Sequence, residues 1–346
     1  MRIGAREVGS GAPCYIIAEI GMAHDGDEAI AHAMIDAAAA CGVDAVKFQT
    51  HIAAAESTLR EPFRKPGLLP DATRYEYWKR TEFTQAQWEA LAIHCADAGV
   101  EFLSSPFSVE AAELLADLHM RAWKIASGEV DDEPLLAFVE QLRQPVILST
   151  GLSTVDDTAR LVRRFRGHSC EVAVLQCTTE YPTSPESIGL NMFRAYRARC
   201  GCPVGLSDHS GTVFAGLAAV AACSAELVEV HIVLDEKMPG PDSRASLTPA
   251  QLCDLVAGVR FVEAALLSEV SKEELSEEQQ ALAKTFGRSV VVARDVPAGR
   301  MLTRADLAAK KPGGGIDSSR IEALVGRQIC VPLAADDLVT DETLLP

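Results

Sequence analysis

Eight short apolar runs punctuate the first 232 residues, and almost every one ends in polar residues able to do chemistry. Cys14–Ile20 carries Glu19, Val43–Thr50 carries Lys47 and Gln49, and Val100–Ser105 ends in a serine pair. Arg121–Ser127 carries Lys124, Val146–Thr150 ends Ser-Thr, and Val172–Thr178 ends Gln-Cys-Thr. Val204–His209 ends Ser-Asp-His, and Leu227–Ile232 carries Glu229 and His231. Between these runs, Ala29–Cys41, Thr84–Ala98, Ser108–Leu118 and Thr154–Arg166 follow helical spacing, the last opened by the cap-like Ser153-Thr154-Val155-Asp156-Asp157. Eight alternating β and α units in about 250 residues predict an α/β fold, a (β/α)8 TIM barrel whose C-terminal rim bears the catalytic groups.

The flanks add two smaller elements. Ile3 and Val8 around Gly4-Ala5 predict an N-terminal hairpin within Met1–Pro13, placed to plug the bottom of the barrel. After the helix Pro249–Leu267, the segment Ser268–Gln280 turns rich in Glu, Ser and Gln and reads as a solvated connection. The expected division is a barrel over 1–267, a linker over 268–287 and a small β-rich module over 288–346, punctuated by Pro297-Ala298-Gly299 and Pro312-Gly313-Gly314-Gly315. Between strands two and three, His51–Thr81 is a long mixed segment with Arg60, Arg64, Lys65, Pro66, Arg74, Tyr77 and Trp78, read as an ordered rim loop.

Composition narrows the partners. The formal charge of −17, from 49 acids and 32 bases, excludes nucleic acid and anionic membrane as general partners, so an anionic substrate must be attracted locally. No apolar stretch is long enough to span a bilayer, and the chain reads as soluble and cytoplasmic. The ten scattered cysteines, Cys41 among them, read as reduced buried thiols, and the close pair Cys200-Gly-Cys202 fits neither a zinc knuckle nor a Cys-x-x-Cys redox site.

The polar strand ends then suggest three kinds of chemistry. His209 and His231 close neighbouring strands, so their imidazoles can converge on a divalent metal acting as Lewis acid; with no cysteine partner, Mn²⁺ or Mg²⁺ is expected over zinc. Lys47 and Lys124 lie inside apolar strands, where an unpaired ammonium costs several kcal/mol. The residues leave open a structural ion pair with Glu19 or Glu129, a Schiff-base lysine, or an anion site with hydroxyls from Ser105, Ser127, Ser149 and Ser207. Glu19 is a candidate general base or cation stabiliser, or simply a partner of Lys47, and His24 behind it a candidate helix cap. The rim loop Asp235–Asp242 supplies acids for a polyhydroxy substrate, or is a solvated turn.

Taken in order, these segments resemble the N-acetylneuraminate (sialic acid) synthase family, with its legionaminate, pseudaminate and spore-coat polysaccharide relatives. The resemblance rests on Ile17-Ala18-Glu19-Ile20-Gly21, Val46-Lys47-Phe48-Gln49-Thr50, Ser105-Pro106-Phe107-Ser108 and Trp123-Lys124-Ile125-Ala126-Ser127-Gly128-Glu129. It continues through Leu148-Ser149-Thr150-Gly151, Cys177-Thr178, Tyr181-Pro182-Thr183, Gly205-Leu206-Ser207-Asp208-His209-Ser210 and Met238-Pro239-Gly240-Pro241-Asp242. The C-terminal module resembles the antifreeze-like (SAF) domain of the same enzymes.

The resemblance implies condensation of phosphoenolpyruvate with an N-acetylhexosamine such as N-acetylmannosamine, giving a nonulosonic acid and phosphate. It implies that Lys47, Ser105, Lys124, Ser127, Ser149, Thr179 and Ser207 hold phosphoenolpyruvate, and that His209 and His231 hold Mn²⁺, with Mg²⁺ or Co²⁺ as alternatives. Gln49, Glu129, Tyr181, Asp242 and Lys311 would meet the sugar, Glu19 would serve the cationic intermediate, and a domain-swapped homodimer is implied. The chain departs from the family pattern at Ala23 and Thr179, where the family has asparagine, and at Lys311, where relatives place arginine. A synthase acting on a shorter or phosphorylated aldose, and a carbohydrate- or ice-binding protein, are the alternative readings.

Overall fold

The computed structural model describes residues 1–63 and 70–345. Arg64, Lys65 and Pro66 of the rim loop, and the terminal Pro346, lie outside the described residues. The chain forms two compact units, Met1–Ser268 and Glu269–Pro346.

In the first unit eight strands run parallel: β1 (Tyr15–Gly21), β2 (Ala45–Thr50), β3 (Glu101–Pro106), β4 (Trp123–Ile125), β5 (Val146–Ser149), β6 (Val172–Cys177), β7 (Val204–Asp208) and β8 (Leu227–Ile232). Their hydrogen-bonded order is β3-β2-β1-β8-β7-β6-β5-β4, and the end strands β3 and β4 pack side by side, so the ring is nearly closed. Each strand is covered by a helix outside and filled by side chains inside. That two-sided burial makes the runs continuously apolar in sequence.

Within each strand, alternate residues face opposite ways. One set, including Ile16, Val46, Phe102, Leu148, Val174, Leu206 and Val228, packs outward against helices. The other set fills the barrel, and its lower layers are apolar: Tyr15, Ile17, Ala45, Leu103, Ala122, Ile147, Ala173, Leu175 and Leu227. The antiparallel pair Arg2–Ile3 and Arg6–Glu7 adds Ile3 and Val8 to that cluster, both essentially inaccessible. The hairpin is therefore the floor that the N-terminal pattern predicts.

Above the floor the same inward positions turn polar. Register places Glu19 beside Lys47 and beside His231, and Ser207 beside Glu229. The chemistry is thus confined to the C-terminal mouth by a change of residue type along a fixed face. Gly21 ends β1 at an irregularity opposite Phe48. It has φ +53°, and a Cβ there would lie 3.2 Å from the Glu19 carboxylate, so a side chain would be strained in the turn and crowded against that carboxylate.

The helices begin where caps predict. Thr84 with Gln87, Thr154 with Asp157 and Thr248 with Gln251 form capping boxes. The helix Glu28–Ala40 is capped by Asp27, which accepts from the amides of Ala29 and Ile30. The expected His24 cap is not formed; that imidazole is buried against Phe83, its Nδ1 accepting from the Gly26 amide. The rim segment contains two short helices, Ala53–Glu56 and Arg74–Thr81, joined by a cluster of Met22, Ala53, Tyr77 and Trp78.

One expectation fails at Cys41. It is disulfide-bonded to Cys253, 212 residues away, so these two cysteines are not the reduced thiols expected. Ring closure sets the helix Glu28–Ala40 beside the helix Pro249–Leu267, and the bridge joins these first and last layers. The other eight cysteines, Cys200 and Cys202 included, are free.

In the second unit, β9 (Ser289–Val292) pairs antiparallel with β10 (Leu307–Lys310) over a core of Val290, Val292, Val296, Leu302, Ile329 and Val339. A helix, Glu277–Phe286, stands in the stretch read as linker, opened by a capping box of Ser276 and Gln279. Its polar composition had masked that start signal. Among the described residues no helix is long and apolar enough to cross a membrane.

Candidate active site

The mouth of the barrel is built around four buried charges. Lys47 Nζ lies 2.6 Å from Glu19 Oε2 and 3.8 Å from Glu229 Oε1, and Lys124 Nζ lies 3.6 Å from the same Glu229 oxygen. Each of these side chains is no more than 4 % exposed. Burial of isolated charges is prohibitive, so the two lysines and two carboxylates are placed to compensate one another. Burial lowers the Lys47 pKa, but the Glu19 and Glu229 carboxylates outweigh it and hold the pKa above the ordinary lysine value. Lys124 is held below that value by burial, which Glu229 opposes and Lys47 reinforces. Glu229 is disfavoured as an anion by burial, yet Lys124 and Lys47 bring its pKa down to about 2.

Of the pairings left open in the sequence, Lys47 takes Glu19, while Lys124 takes Glu229 and not Glu129. Glu229 had been given no role. Its signal was present in Leu227-Val228-Glu229-Val230-His231, where alternation puts Glu229 on the same inward face as His231. What the sequence lacked was the lysines' positions, on strands more than 100 residues earlier.

Hydroxyls surround the lysines. Lys124 donates to Ser149 Oγ at 2.6 Å, Lys47 to Ser105 Oγ at 3.4 Å, and Ser207 to Glu229 Oε1 at 3.1 Å. Beside them, the Gly151 amide donates to Ser127 Oγ at 3.0 Å, and Ser127 donates to Cys177 Sγ at 3.6 Å. A Cβ on Gly151 would fall 2.3 Å from Thr179 Oγ1 and 2.8 Å from Ser127 Oγ. Thr179 Oγ1 is buried with no hydrogen-bond partner. A buried hydroxyl without a partner is costly unless a ligand completes it. The structure therefore brings Ser105, Ser127, Ser149, Thr179 and Ser207 together with both lysines, as one cradle of donors.

The two histidines sit on the next sector. Their ring centroids are 5.2 Å apart, and Tyr181 lies 4.2 Å from the His209 ring and 6.2 Å from that of His231. His209 Nδ1 donates to the Thr178 carbonyl at 3.1 Å, which leaves Nε2 as the bare nitrogen. Burial, and then His231, push the His209 pKa down to about 3, so the ring is neutral. A neutral imidazole oriented by a backbone carbonyl is the form that binds a metal. Among the described residues no group of three or more His, Cys, Asp or Glu converges as ligands. The pair would thus leave most of a metal's coordination sphere to water and substrate.

Gln49 donates to Glu19 Oε1 at 2.9 Å, and Asp242 lines a small cleft with His231, Ile20, Met22 and Ala23. Glu129 is half-buried, and burial followed by Asp132 and Glu56 raises its pKa to about 7. Lys311 belongs to the second unit, where its ammonium lies 5.5 Å from the Phe286 ring centroid.

Known proteins share this arrangement of domains. The model of the NeuB family matches residues 34–271, and that of the SAF domain matches residues 287–345. The chain is 33 % identical over 350 residues to a mouse N-acetylneuraminate-9-phosphate synthase, covering 98 % of this chain and 95 % of that protein. It is 30 % identical to the N,N'-diacetyllegionaminic acid synthase of Campylobacter jejuni, over 94 % of this chain and 98 % of that one. Among solved structures, the spore coat polysaccharide biosynthesis protein SpsE of Bacillus subtilis aligns over 100 % of this chain and 99 % of its own, with TM-score 0.67 and 30 % identity. The sialic acid synthetase of Leptospira borgpetersenii aligns over 82 % and 94 %, with TM-score 0.70 and 27 % identity. With the family model spanning most of its barrel and the SAF model its C-terminal unit, this chain belongs to the NeuB family.

Proposed function

We propose that this protein condenses phosphoenolpyruvate with an unphosphorylated N-acetylhexosamine, of the N-acetylmannosamine type, to give a nonulosonic acid and phosphate. The observation that carries the reading is the donor cradle: Lys124, Ser127, Ser149, Ser207 and the unpartnered Thr179 hydroxyl cluster at the barrel mouth beside the His209–His231 pair. The names of the relatives compared above, sugar-acid synthases and a polysaccharide biosynthesis protein, support the same reaction class.

Charge counting explains why the site needs more than its lysines. Even with both lysines protonated, two ammonium groups and two carboxylates cancel, so these four side chains offer no net positive charge to a multiply charged anion. His209 and His231 would hold a divalent ion, Mn²⁺ on this reading, whose charge and Lewis acidity would polarise the sugar aldehyde. Lys124, Lys47 and the serines hold the phosphate and carboxylate of phosphoenolpyruvate. Its C3 then attacks the aldehyde carbon, forming the new C–C bond as the carbonyl π pair moves to the oxygen, which takes up a proton to become a hydroxyl, and leaving cationic character at C2. Glu19 faces that carbon, stabilises the positive charge and takes a proton from the water that adds there. Loss of phosphate from the resulting tetrahedral carbon breaks the C–O bond and gives the 2-keto acid.

The distal end of the sugar meets Gln49, Glu129, Tyr181 and Asp242. Burial and then Asp132 raise Glu129 to about 7, with Glu56 adding. Arg74, which reaches this group, is already paired with Glu61 at 2.7 Å. A phosphorylated sugar would bring its dianion against the acid side chains of Asp242 and Glu129. We therefore expect kcat/KM for free N-acetylmannosamine to exceed that for its 6-phosphate by at least about tenfold. Phosphate release measured across free and phosphorylated hexosamines checks this, and a preference for the phosphorylated sugar would assign the chain to the other substrate class. On the same reading the active form is a domain-swapped homodimer in which Lys311 serves the partner's barrel.

A further inference from the structure

His51 follows β2 directly, and its ring is held on both faces and at both nitrogens. Its ring is sandwiched between Trp78, at 3.8 Å and 5°, and Phe107, at 4.2 Å and 22°. Nδ1 lies 2.8 and 3.0 Å from the two carboxyl oxygens of Glu56, and Nε2 lies 3.3 Å from Gln49 Oε1. Gln49 in turn donates to Glu19 Oε1, and Glu19 Oε2 contacts Lys47. The side chains of His51 and Glu56 are 2 % and 8 % exposed. The line Glu56–His51–Gln49–Glu19 runs from the rim loop to the carboxylate at the reaction centre.

Donor and acceptor counting fixes every proton of this line but one. The Glu19 carboxylate only accepts, so the Gln49 amide must turn its NH₂ toward Glu19 and its oxygen toward His51. His51 must then carry a proton on Nε2. A neutral ring protonated at Nε2 has a bare Nδ1, which faces Glu56 and needs a proton between them. We propose that Glu56 and His51 are positioning residues for Glu19: a carboxylic acid donating to an imidazole, which fixes the Gln49 amide and through it the catalytic carboxylate. This rests on the role given to Glu19 above.

The surroundings favour that proton staying on Glu56. Burial, and then Arg74, depress the His51 pKa to about 3, while Glu19, Glu61 and Glu82 oppose this. Burial and then Glu61 raise Glu56 to about 8, with Glu82 adding and Arg74 opposing, and Glu129 approaches from the loop after β4. Below pH 8 the acid is neutral and the relay is complete. Above it, the Glu56 carboxylate draws the histidine proton to Nδ1, and bare Nε2 then faces the Gln49 oxygen. Repulsion turns the amide, and its oxygen meets the Glu19 carboxylate.

The test compares pH profiles of kcat with a direct readout of the ring. Wild type is expected to lose kcat above pH 8 with a one-proton slope. Glu56→Gln, whose amide donates to Nδ1 at every pH, should keep kcat at pH 7 within about fivefold and lose that alkaline limb, whereas Glu56→Ala should be lowered about tenfold or more at all pH values. Nitrogen-15 NMR of histidine side chains in the unliganded wild type, with His51 assigned by its absence in His51→Gln, should show the Nε2–H tautomer at pH 7 and a change of tautomer with midpoint near 8. An unchanged alkaline limb in Glu56→Gln, or an Nδ1–H tautomer at pH 7, overturns the proposal. The NMR result needs no substrate, so it stands apart from any failure of the condensation itself.

Discussion

Lys124→Met is expected to lower kcat/KM for phosphoenolpyruvate by about 10³-fold, because it removes a buried cation and a donor aimed at the anion cradle. The substitution also leaves Glu229 with less compensation. Glu229 keeps Lys47 at 3.8 Å and the Ser207 hydroxyl at 3.1 Å, so the stability loss should be partial, roughly 1–3 kcal/mol. Chemical denaturation separates the two effects. Adding Glu229→Gln, which keeps the Ser207 hydrogen bond but removes the charge, should recover most of the lost stability and none of the activity. Recovery of turnover in the double variant would make Lys124 a structural counter-ion and remove it from the phosphoenolpyruvate site.

The second large effect is expected at His231. Its ring shares the mouth with His209 at 5.2 Å and borders Asp242 in the cleft. His231→Ala should abolish measurable Mn²⁺ binding by titration calorimetry and lower kcat/KM by about 10³-fold, since Lewis-acid assistance is worth several kcal/mol. Calorimetry makes the prediction independent of turnover. Unchanged Mn²⁺ binding in this variant would remove the metal from the histidine pair. With only two protein nitrogens in place, affinity in the wild type should rise when phosphoenolpyruvate is present, because the substrate completes the coordination.

Much of this was legible along the chain, for a physical reason. Parallel barrel strands are buried on both faces, so they appear as apolar runs, and a polar residue inside one, such as Lys47 or Lys124, marks the mouth. The hairpin was legible because Ile3 and Val8 alternate across a Gly-Ala turn. Glu229 was not, since its significance lies in two lysines brought to it by ring closure. The same closure hid the Cys41–Cys253 bridge, which joins helices at opposite ends of the barrel sequence. The His51 relay was hidden differently: Glu56 and Trp78 stand in a loop whose mixture of charges and prolines carries no periodicity. Only the fold brings Trp78 to the face and Glu56 to the edge of one ring.

The central claim is a condensation, in which phosphoenolpyruvate loses phosphate only as a carbon–carbon bond forms. The most direct measurement incubates the full-length protein with phosphoenolpyruvate, N-acetylmannosamine and Mn²⁺, and follows inorganic phosphate together with the mass of the sugar product. The account predicts one phosphate per nine-carbon 2-keto acid, and no phosphate when the sugar or the metal is omitted. Phosphate release that continues without sugar, or phosphoenolpyruvate left intact with every hexosamine offered, would contradict it.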